Sequence, residues 1–190
     1  MMADTVRMGS DPARDTATST SQLHISGGEV HAADVQPGDA DTDQHRTIIF
    51  NSGTLANKSG SDLTIDGLID VTLSGTPTNS FIDAAAGRTV TIDSAIAGAG
   101  GFAKIGGGAL VLTSMASTYS GDTVVNAGTL IVDGQITSDV SVDGGALAGN
   151  GVVGNLSVQN GGTAAPGASV GSLATGSATF DGGTLIAEIG

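Results

Sequence analysis

The stretch Gly-Ala-Ser-Val-Gly at residues 167–171 matches the Gly-x-Ser-x-Gly pattern, which presents a nucleophilic serine on a sharp turn between a strand and a helix. A hydrolase of this type also needs a histidine later in the chain. All three histidines precede Ser169: His24, His31 and His45. Because Pro166 also introduces a turn where the motif needs a strand, we interpret the stretch as a glycine corner and not as a nucleophile site.

Three carboxylates alternate at Asp39, Asp41 and Asp43, the spacing with which a calcium loop directs oxygen ligands at one hard cation. An EF-hand is excluded, because its sixth position would be Gln44 instead of glycine and its twelfth Phe50 instead of glutamate. A weak ion site and a solvated acidic linker both remain open, and we favour the linker.

Acidic side chains in the middle of the chain could pair for glycoside or uronate chemistry: Asp66, Asp70, Asp83 and Asp93. Lyase chemistry on acidic sugars would also need a basic residue near the cleft, and three lie after residue 50: Lys58, Arg88 and Lys104. His31 and His45 have no helical or hairpin spacing that would make them metal ligands. We favour solvent-facing aspartates that keep a β surface soluble, and we predict no catalytic, cofactor-binding or metal-binding residue.

Tyr119 is the sole tyrosine of the chain. An aromatic ring with a polar tip suits a partly buried corner, so we expect it to pack across a loop and not to bind a ligand.

The composition predicts a thin core built from small side chains. Aromatic residues make up 3% of the 190 residues, whereas 39% are hydrophobic and 31 are glycine. A stacked-sheet solenoid suits this composition, because each coil buries a few aliphatic side chains against the next and turns at small residues. The formal net charge of -13 argues against nucleic-acid binding, and there is no lysine or arginine after Lys104.

Residues 1–22 are rich in Thr, Ser, Asp and Ala without an apolar period, and we expect them to be disordered or frayed. The first residues lack the apolar segment of a signal peptide, and no apolar stretch is long enough for a membrane helix. We therefore expect that the chain does not export itself and does not insert directly into a membrane, being either an internal fragment or the product of a gene that has lost its ends.

From Leu23 to Gly190 the chain repeats a unit of strand, tight corner and strand. An apolar residue is followed three positions later by glycine and five positions later by a second apolar residue in the copies that start at Ile25, Phe50, Val125, Val142 and Phe180, with a weaker copy at Val158. The later copies start roughly 16–22 residues apart, the period of one solenoid coil. We predict an all-β fold, a right-handed parallel β-helix of single-stranded coils, with about seven coils after Thr47 and a rod of about 35 Å. Only Phe81–Arg88 could hold a helical turn.

The C-terminal half is identified with a known family on two motifs. Gly-Gly-Gly-Ala-Leu-Val-Leu at 106–112, followed by Thr-Tyr-Ser-Gly-Asp-Thr-Val-Val-Asn-Ala-Gly-Thr-Leu at 118–130, resembles the autotransporter-associated β-strand repeat of type V secretion passengers. The stretches 149–158 and 165–173 resemble the segment that follows this repeat. The bridge at 114–117 reads Ser-Met-Ala-Ser and lacks the Gly and Asn common in the family. The resemblance covers residues 98–190 well, whereas residues 23–97 share only the general character of the family.

The resemblance implies a secreted passenger at the bacterial cell surface, whose partner is an outer-membrane β-barrel translocator that normally follows in the same polypeptide. We predict a structural stalk that spaces a module from the outer membrane. The alternatives are an adhesin face rich in Thr, Ser and Asn that binds host or bacterial surfaces and, from another class, a carbohydrate-active enzyme of β-helix fold.

Overall fold

The computed structural model describes residues 2–8, 20–37, 45–167 and 171–187. Within these ranges the regular structure consists of strands and contains no helix. In chain order the strands are β1 Met2–Met8, β2 Thr20–Pro37, β3 His45–Asn57, β4 Leu63–Ile65, β5 Asp70–Leu73, β6 Ser80–Asp83, β7 Thr89–Ile92, β8 Ile96–Ala97, β9 Phe102–Ile105, β10 Ala109–Leu112, β11 Thr123–Val125, β12 Thr129–Val132, β13 Val140–Val142, β14 Ala146–Gly149, β15 Leu156–Gln159, β16 Thr163–Pro166, β17 Ala178–Asp181 and β18 Thr184–Leu185.

Parallel ladders arrange these strands on three faces around one axis. Face 1 opens each coil and contains β5 and β8, followed by single bridges that join Gln135, Val152 and Ala174. Face 2 contains β6, β9, β11, β13, β15 and β17, and face 3 contains β4, β7, β10, β12, β14, β16 and β18. The long strands β2 and β3 bend across corners and contribute to more than one face. The predicted right-handed parallel β-helix is confirmed.

The interior is filled by columns of residues that occupy equivalent positions in successive coils. Alternate side chains of a strand point to opposite sides, so every second residue enters the core. The inner column of face 2 contains Leu55, Ile82, Lys104, Val125, Val142 and Val158. The inner column of face 3 contains Leu63, Val90, Leu110, Leu130, Leu147 and Ala164. Burial of each of these aliphatic side chains stabilises the fold by about 1.5–3 kcal/mol. Because each coil adds only a few of them, the core is thin.

Seven rungs follow one another after residue 45, as the repeat predicted. Their ranges are 45–65, 70–92, 96–112, 117–132, 135–149, 152–166 and 174–185. The later coils have the predicted length, since Val140 pairs with Leu156 and Leu156 with Ala178, which gives spacings of 16 and 22 residues. The early coils are longer, since Leu63 pairs with Val90 at a spacing of 27. A coil also contributes two or three short strands and not a single one, because each rung turns at three corners.

The corner between face 2 and face 3 replaces the helical turn expected at residues 81–88. Ser80–Asp83 is strand β6, and residues 84–88 form a tight turn in which the Arg88 amide donates to the Ala85 carbonyl at 2.9 Å. Gly87 has φ +71° there, a conformation that glycine adopts without steric cost. Because β7 resumes the face 3 ladder at Thr89, this segment has no room for a helix.

The expectation of disorder for residues 1–22 is wrong for the part that the structure describes. Strand β1 pairs in parallel with β2, from Met2 beside His31 to Met8 beside Pro37. Met8 is buried, and its carbonyl accepts a hydrogen bond from Arg46 Nε at 3.0 Å. An apolar alternation as short as this one is too weak to be read from sequence. Residues 9–19 lie outside the described residues, and the domain boundary at residue 23 stays a prediction.

Candidate functional surfaces

Asp66 and Asp93 are the two candidate catalytic carboxylates that the fold makes neighbours. Ile65 pairs with Ile92, so both aspartates begin the corner between face 3 and face 1 in successive coils. Asp66 Oδ1 accepts the Leu68 amide at 2.8 Å, and Asp93 Oδ1 accepts the Thr113 hydroxyl at 2.7 Å. Both carboxylates therefore cap the turn or the next coil, which is a structural use of the side chain.

The other two carboxylates lie on different faces. Asp70 begins β5 on face 1 and is exposed, and Asp83 ends β6 on face 2. Of the three basic candidates, Lys58 and Arg88 lie at corners between face 2 and face 3, and Lys104 is buried in the core. The fold thus brings Asp83 and the basic candidates toward the corner between face 2 and face 3, whereas Asp66, Asp70 and Asp93 lie elsewhere on the rod.

Four of the remaining candidate site residues lie outside the part of the chain that the structure describes. Ser169 and the aspartates 39, 41 and 43 lie outside the described residues, so the hydrolase motif and the weak ion site are untested. His24 is exposed and contacts Gln22 at 3.2 Å, and His31 Nε2 lies 3.0 Å from Glu29 Oε2. Within the described ranges, no three His, Asp or Glu side chains are grouped closely enough to hold a metal ion.

Tyr119 is completely buried and belongs to a polar network inside the rod. Its hydroxyl lies 2.7 Å from Thr123 Oγ1, which lies 2.8 Å from Ser138 Oγ. Ser138 Oγ in turn reaches the Gly121 carbonyl at 2.9 Å. Burial raises the pKa of Tyr119 to about 12, against the lowering effect of its hydroxyl partners. The residue packs against Phe102, with ring centroids 5.9 Å apart, and is more deeply buried than the sequence suggested.

Lys104, which the sequence offered as a basic residue for a cleft, is instead a buried cation inside the rod. Its Nζ donates to the carbonyls of Ile105, Gly106 and Ala127 at 2.6, 2.9 and 3.2 Å. The ammonium thereby joins the corner of its own coil to the corner of the next coil. Burial lowers the pKa of Lys104 to about 8, although the charge of Asp83 acts in the opposite direction.

An open, shallow groove of about 300 Å³ runs across the outside of face 2 over the last coils. One side is the outward column Val124, Ser141, Ser157 and Thr179, and the other is the corner column Asp122, Asp139, Asn155 and Ser177. The corner column is hydrogen bonded from coil to coil, since Asn155 Nδ2 donates to Asp139 Oδ1 at 3.1 Å and Ser177 Oγ to Asn155 Oδ1 at 2.8 Å. The groove is mixed in character, because Val124, Val140 and Leu156 line it beside polar groups that repeat at the coil spacing of about 4.8 Å.

The family described as Passenger-associated-transport-repeat matches residues 102–132, which span β9 to β12. This range contains the motifs at 106–112 and 118–130, so the resemblance seen in the sequence is confirmed. Together with the parallel β-helix, this repeat supports an autotransporter passenger domain.

Two curated proteins are similar to the chain. It is 35% identical over 127 residues to the adhesin BmaC autotransporter of Brucella suis biovar 1 (strain 1330), which covers 66% of this chain and 3% of that protein. It is 35% identical over 110 residues to an extracellular serine protease of Serratia marcescens, covering 57% of this chain and 10% of that protein. The chain therefore spans a small part of either relative.

No solved structure gives a significant match to this chain. In the part of the chain that the structure describes, no helix is long and apolar enough to cross a membrane.

Proposed function

We propose that this segment is a structural stalk within a secreted passenger, which spaces a module of the longer protein from the cell surface. The observation that carries the proposal is the continuous core: the inner column of face 3 is aliphatic through successive coils, and that of face 2 is aliphatic except at Lys104. A rod of this kind is stiff because each coil is bonded to both neighbours through parallel ladders.

The segment has no active site of its own under this proposal. Support comes from the placement of the carboxylates, because Asp66 and Asp93 cap corners while Asp70 and Asp83 lie on two other faces. An enzyme on a β-helix would need an acid, a base and a binding cleft on one face. The partner of the passenger is an outer-membrane β-barrel translocator in the same polypeptide, and the rod is displayed outside the cell.

Whole-coil deletion tests the stalk role. The chain is displayed on cells between an N-terminal epitope tag and an autotransporter translocator. Deletion of residues 135–151 removes one complete coil, because Val152 takes the place of its ladder partner Gln135. We expect normal tag display from this variant and loss of display when residues 135–142 are deleted, since half a coil places the next strands on the wrong face. Equal display from both deletions would contradict the role of the stacked coils.

An adhesive surface is the second candidate, and the column of polar groups along the face 2 groove favours it. Its repeated hydroxyl, amide and carboxylate groups suit many weak polar contacts to a cell-surface ligand. Asp139→Ala with Ser157→Ala removes two groups from the groove, and Thr64→Ala with Thr91→Ala on face 3 is the matched control. If the groove variant loses cell adhesion while tag display is unchanged, the adhesive function replaces the stalk. Unchanged adhesion supports the stalk.

A further inference from the structure

From β4 onward, face 3 presents an outer surface without charged side chains; one coil earlier, the outward position beside Thr64 is occupied by Asp34. The uncharged positions alternate with the buried column and run from the rung 45–65 to the last described strand. They are Thr64, Thr89, Thr91, Ala109, Val111, Thr129, Ile131, Ala146, Ala148, Thr163, Ala165 and Thr184. In a chain with a net charge of -13, a flat face of twelve uncharged small side chains is a distinct surface.

The charges nearest to this face lie on its two rims. The rim toward face 1 carries carboxylates in three coils: Asp66, Asp93 and Asp133. The rim toward face 2 carries the exposed cation Arg88, in the same coil as Asp93. One coil earlier this rim carries Asp62, whose Oδ1 accepts the Thr89 amide at 2.9 Å. The two rims therefore have opposite charge in the coil of Arg88 and Asp93.

We propose that face 3 packs against face 3 of a second copy of this chain, with the two rods side by side and parallel. Two acidic rods repel each other when their carboxylates approach, and this uncharged face allows close contact without that repulsion. A twofold axis parallel to the rods places the rim with Arg88 opposite the rim with Asp66 and Asp93 of the other copy. An antiparallel pair would instead place the two acidic rims opposite each other.

The size of the face predicts the strength of the association. Seven strands at about 4.8 Å and a width of four residues at about 3.3 Å give a footprint of about 440 Å² on each copy. Stable interfaces bury about 800 Å² on each partner, so we expect a weak dimer with a dissociation constant between about 1 μM and 1 mM. Toward the other end Asp133 and Asp143 face each other across the rims, so moderate salt is expected to assist pairing there.

Sedimentation equilibrium on the full chain tests the proposal with a matched pair of variants. Val111→Lys with Ile131→Lys places two charges side by side on face 3, because these residues are ladder partners. Ser141→Lys with Ser157→Lys does the same on face 2. Either double substitution changes the net charge from -13 to -11 and so weakens long-range repulsion equally. We expect a concentration-dependent dimer from the wild type and the face 2 variant, and a monomer from the face 3 variant.

The other results overturn the proposal. A wild type that stays monomeric up to about 1 mM excludes the pairing. If both variants dimerise, the contact lies elsewhere, for example at the end of the rod, where Phe180 and Leu185 are exposed. Circular dichroism and the unfolding midpoint establish that the variants are folded; if the face 3 variant is not, Val111→Thr with Ile131→Thr replaces it and must weaken dimerisation at least 3-fold. Arg88→Glu is expected to weaken dimerisation at low salt, and an unchanged affinity would overturn the parallel arrangement.

Discussion

The ammonium group of Lys104 is the side-chain feature of this rod that departs most from the pattern of its neighbours. It lies in an inner column between Ile82 and Val125, and it satisfies three backbone carbonyls at a corner. Burial of a cation is costly, but carbonyl groups left without a donor are costly as well. The residue therefore exchanges hydrophobic packing for a link between two successive corners.

Replacement of this lysine by methionine keeps the length of the side chain and removes the donor. We expect Lys104→Met to lower the free energy of unfolding by about 1–3 kcal/mol at pH 7, because buried carbonyls lose their partner. The folded-state pKa of about 8 lies below the ordinary value of 10.5, so the unfolded chain binds more protons between these values and the wild type gains stability as the pH rises from 8 to 10.5. The penalty of the variant should grow over the same interval in urea titrations.

The control for this substitution is Lys58→Met, at a half-buried corner position outside the inner columns. We expect it to leave the pH dependence between 8 and 10.5 as in the wild type. An equal effect of both substitutions on that interval would mean that Lys104 is not the group responsible.

Tyr119 gives the opposite dependence on pH. Its pKa is raised from 10 to about 12, so the folded chain keeps a proton that the unfolded chain has lost, and stability falls as the pH rises from 10 to 12. Tyr119→Phe removes the hydroxyl bonded to Thr123 and should cost about 1 kcal/mol at pH 7. The difference from wild type should narrow between pH 10 and 12. Parallel urea-denaturation curves for the two proteins across this interval would contradict the assignment.

The buried lysine illustrates what the sequence allows at single positions. Phe102 and Lys104 are two residues apart in one strand and must share a side, so the burial of Phe102 was a signal that Lys104 also points inward. The network of Tyr119, Thr123 and Ser138 carries no such signal, since it joins residues of two coils through a corner whose path depends on packing. Whether such a residue is buried depends on the residues that stack on it in adjacent coils, and these are known only once the register of the strands is known.

Corners govern how the short strands stack into coils. At Gly128 the φ angle is +66°, and a Cβ atom would lie 2.2 Å from the Gly108 carbonyl oxygen and 2.5 Å from that of Gly106. At Gly161 the φ angle is +96°, but the nearest atom, the Asp143 carbonyl oxygen, lies at 3.8 Å. A side chain at Gly161 would therefore meet backbone strain alone, whereas a side chain at Gly128 would also collide with the preceding coil.

Alanine at these two positions should have different costs. Gly161→Ala is expected to lower the free energy of unfolding by about 1–2 kcal/mol, the penalty of a left-handed conformation alone. Gly128→Ala is expected to cost at least about 2 kcal/mol more, because the backbone of the coil below must also move. Urea unfolding of both variants measures the difference, and equal costs would show that the coils can separate at this corner without loss of stability.

The corners also explain why the lengths of only some coils can be predicted. The corners of the later coils contain glycine pairs at a constant distance from the strands, and these pairs give the period of 16–22 residues. The longer early corners are closed by side chains, as where Asn79 Oδ1 accepts the Thr76 amide at 2.8 Å. Such turns keep no fixed spacing, so the early coils agree with the repeat only in composition.

The rod as a whole has a core whose depth varies along its axis. Among the described residues, β13 and β14 are paired on both sides, whereas β17 and β18 are paired on one side only and are largely exposed. The architecture is predictable from the sequence because every coil repeats the same pattern. The function is harder to predict, because outward residues such as Ser141 and Thr179 can vary without effect on the core.

Hydrogen exchange along the rod should follow this difference in pairing. Stacked repeats open from their ends, because the terminal coil loses one interface on unfolding whereas an internal coil loses two. We expect the amides of β17 and β18 to exchange at least about 100-fold faster than those of β13 and β14 in native-state mass spectrometry. Deletion of residues 135–151 removes β13 and β14, so in that variant the comparison is made with β11 and β12, and β17 and β18 should again exchange faster because the end of the rod stays the same. Uniform protection from β13 to β18 would mean that the rod opens as a single cooperative unit and that its stability is not a sum over coils.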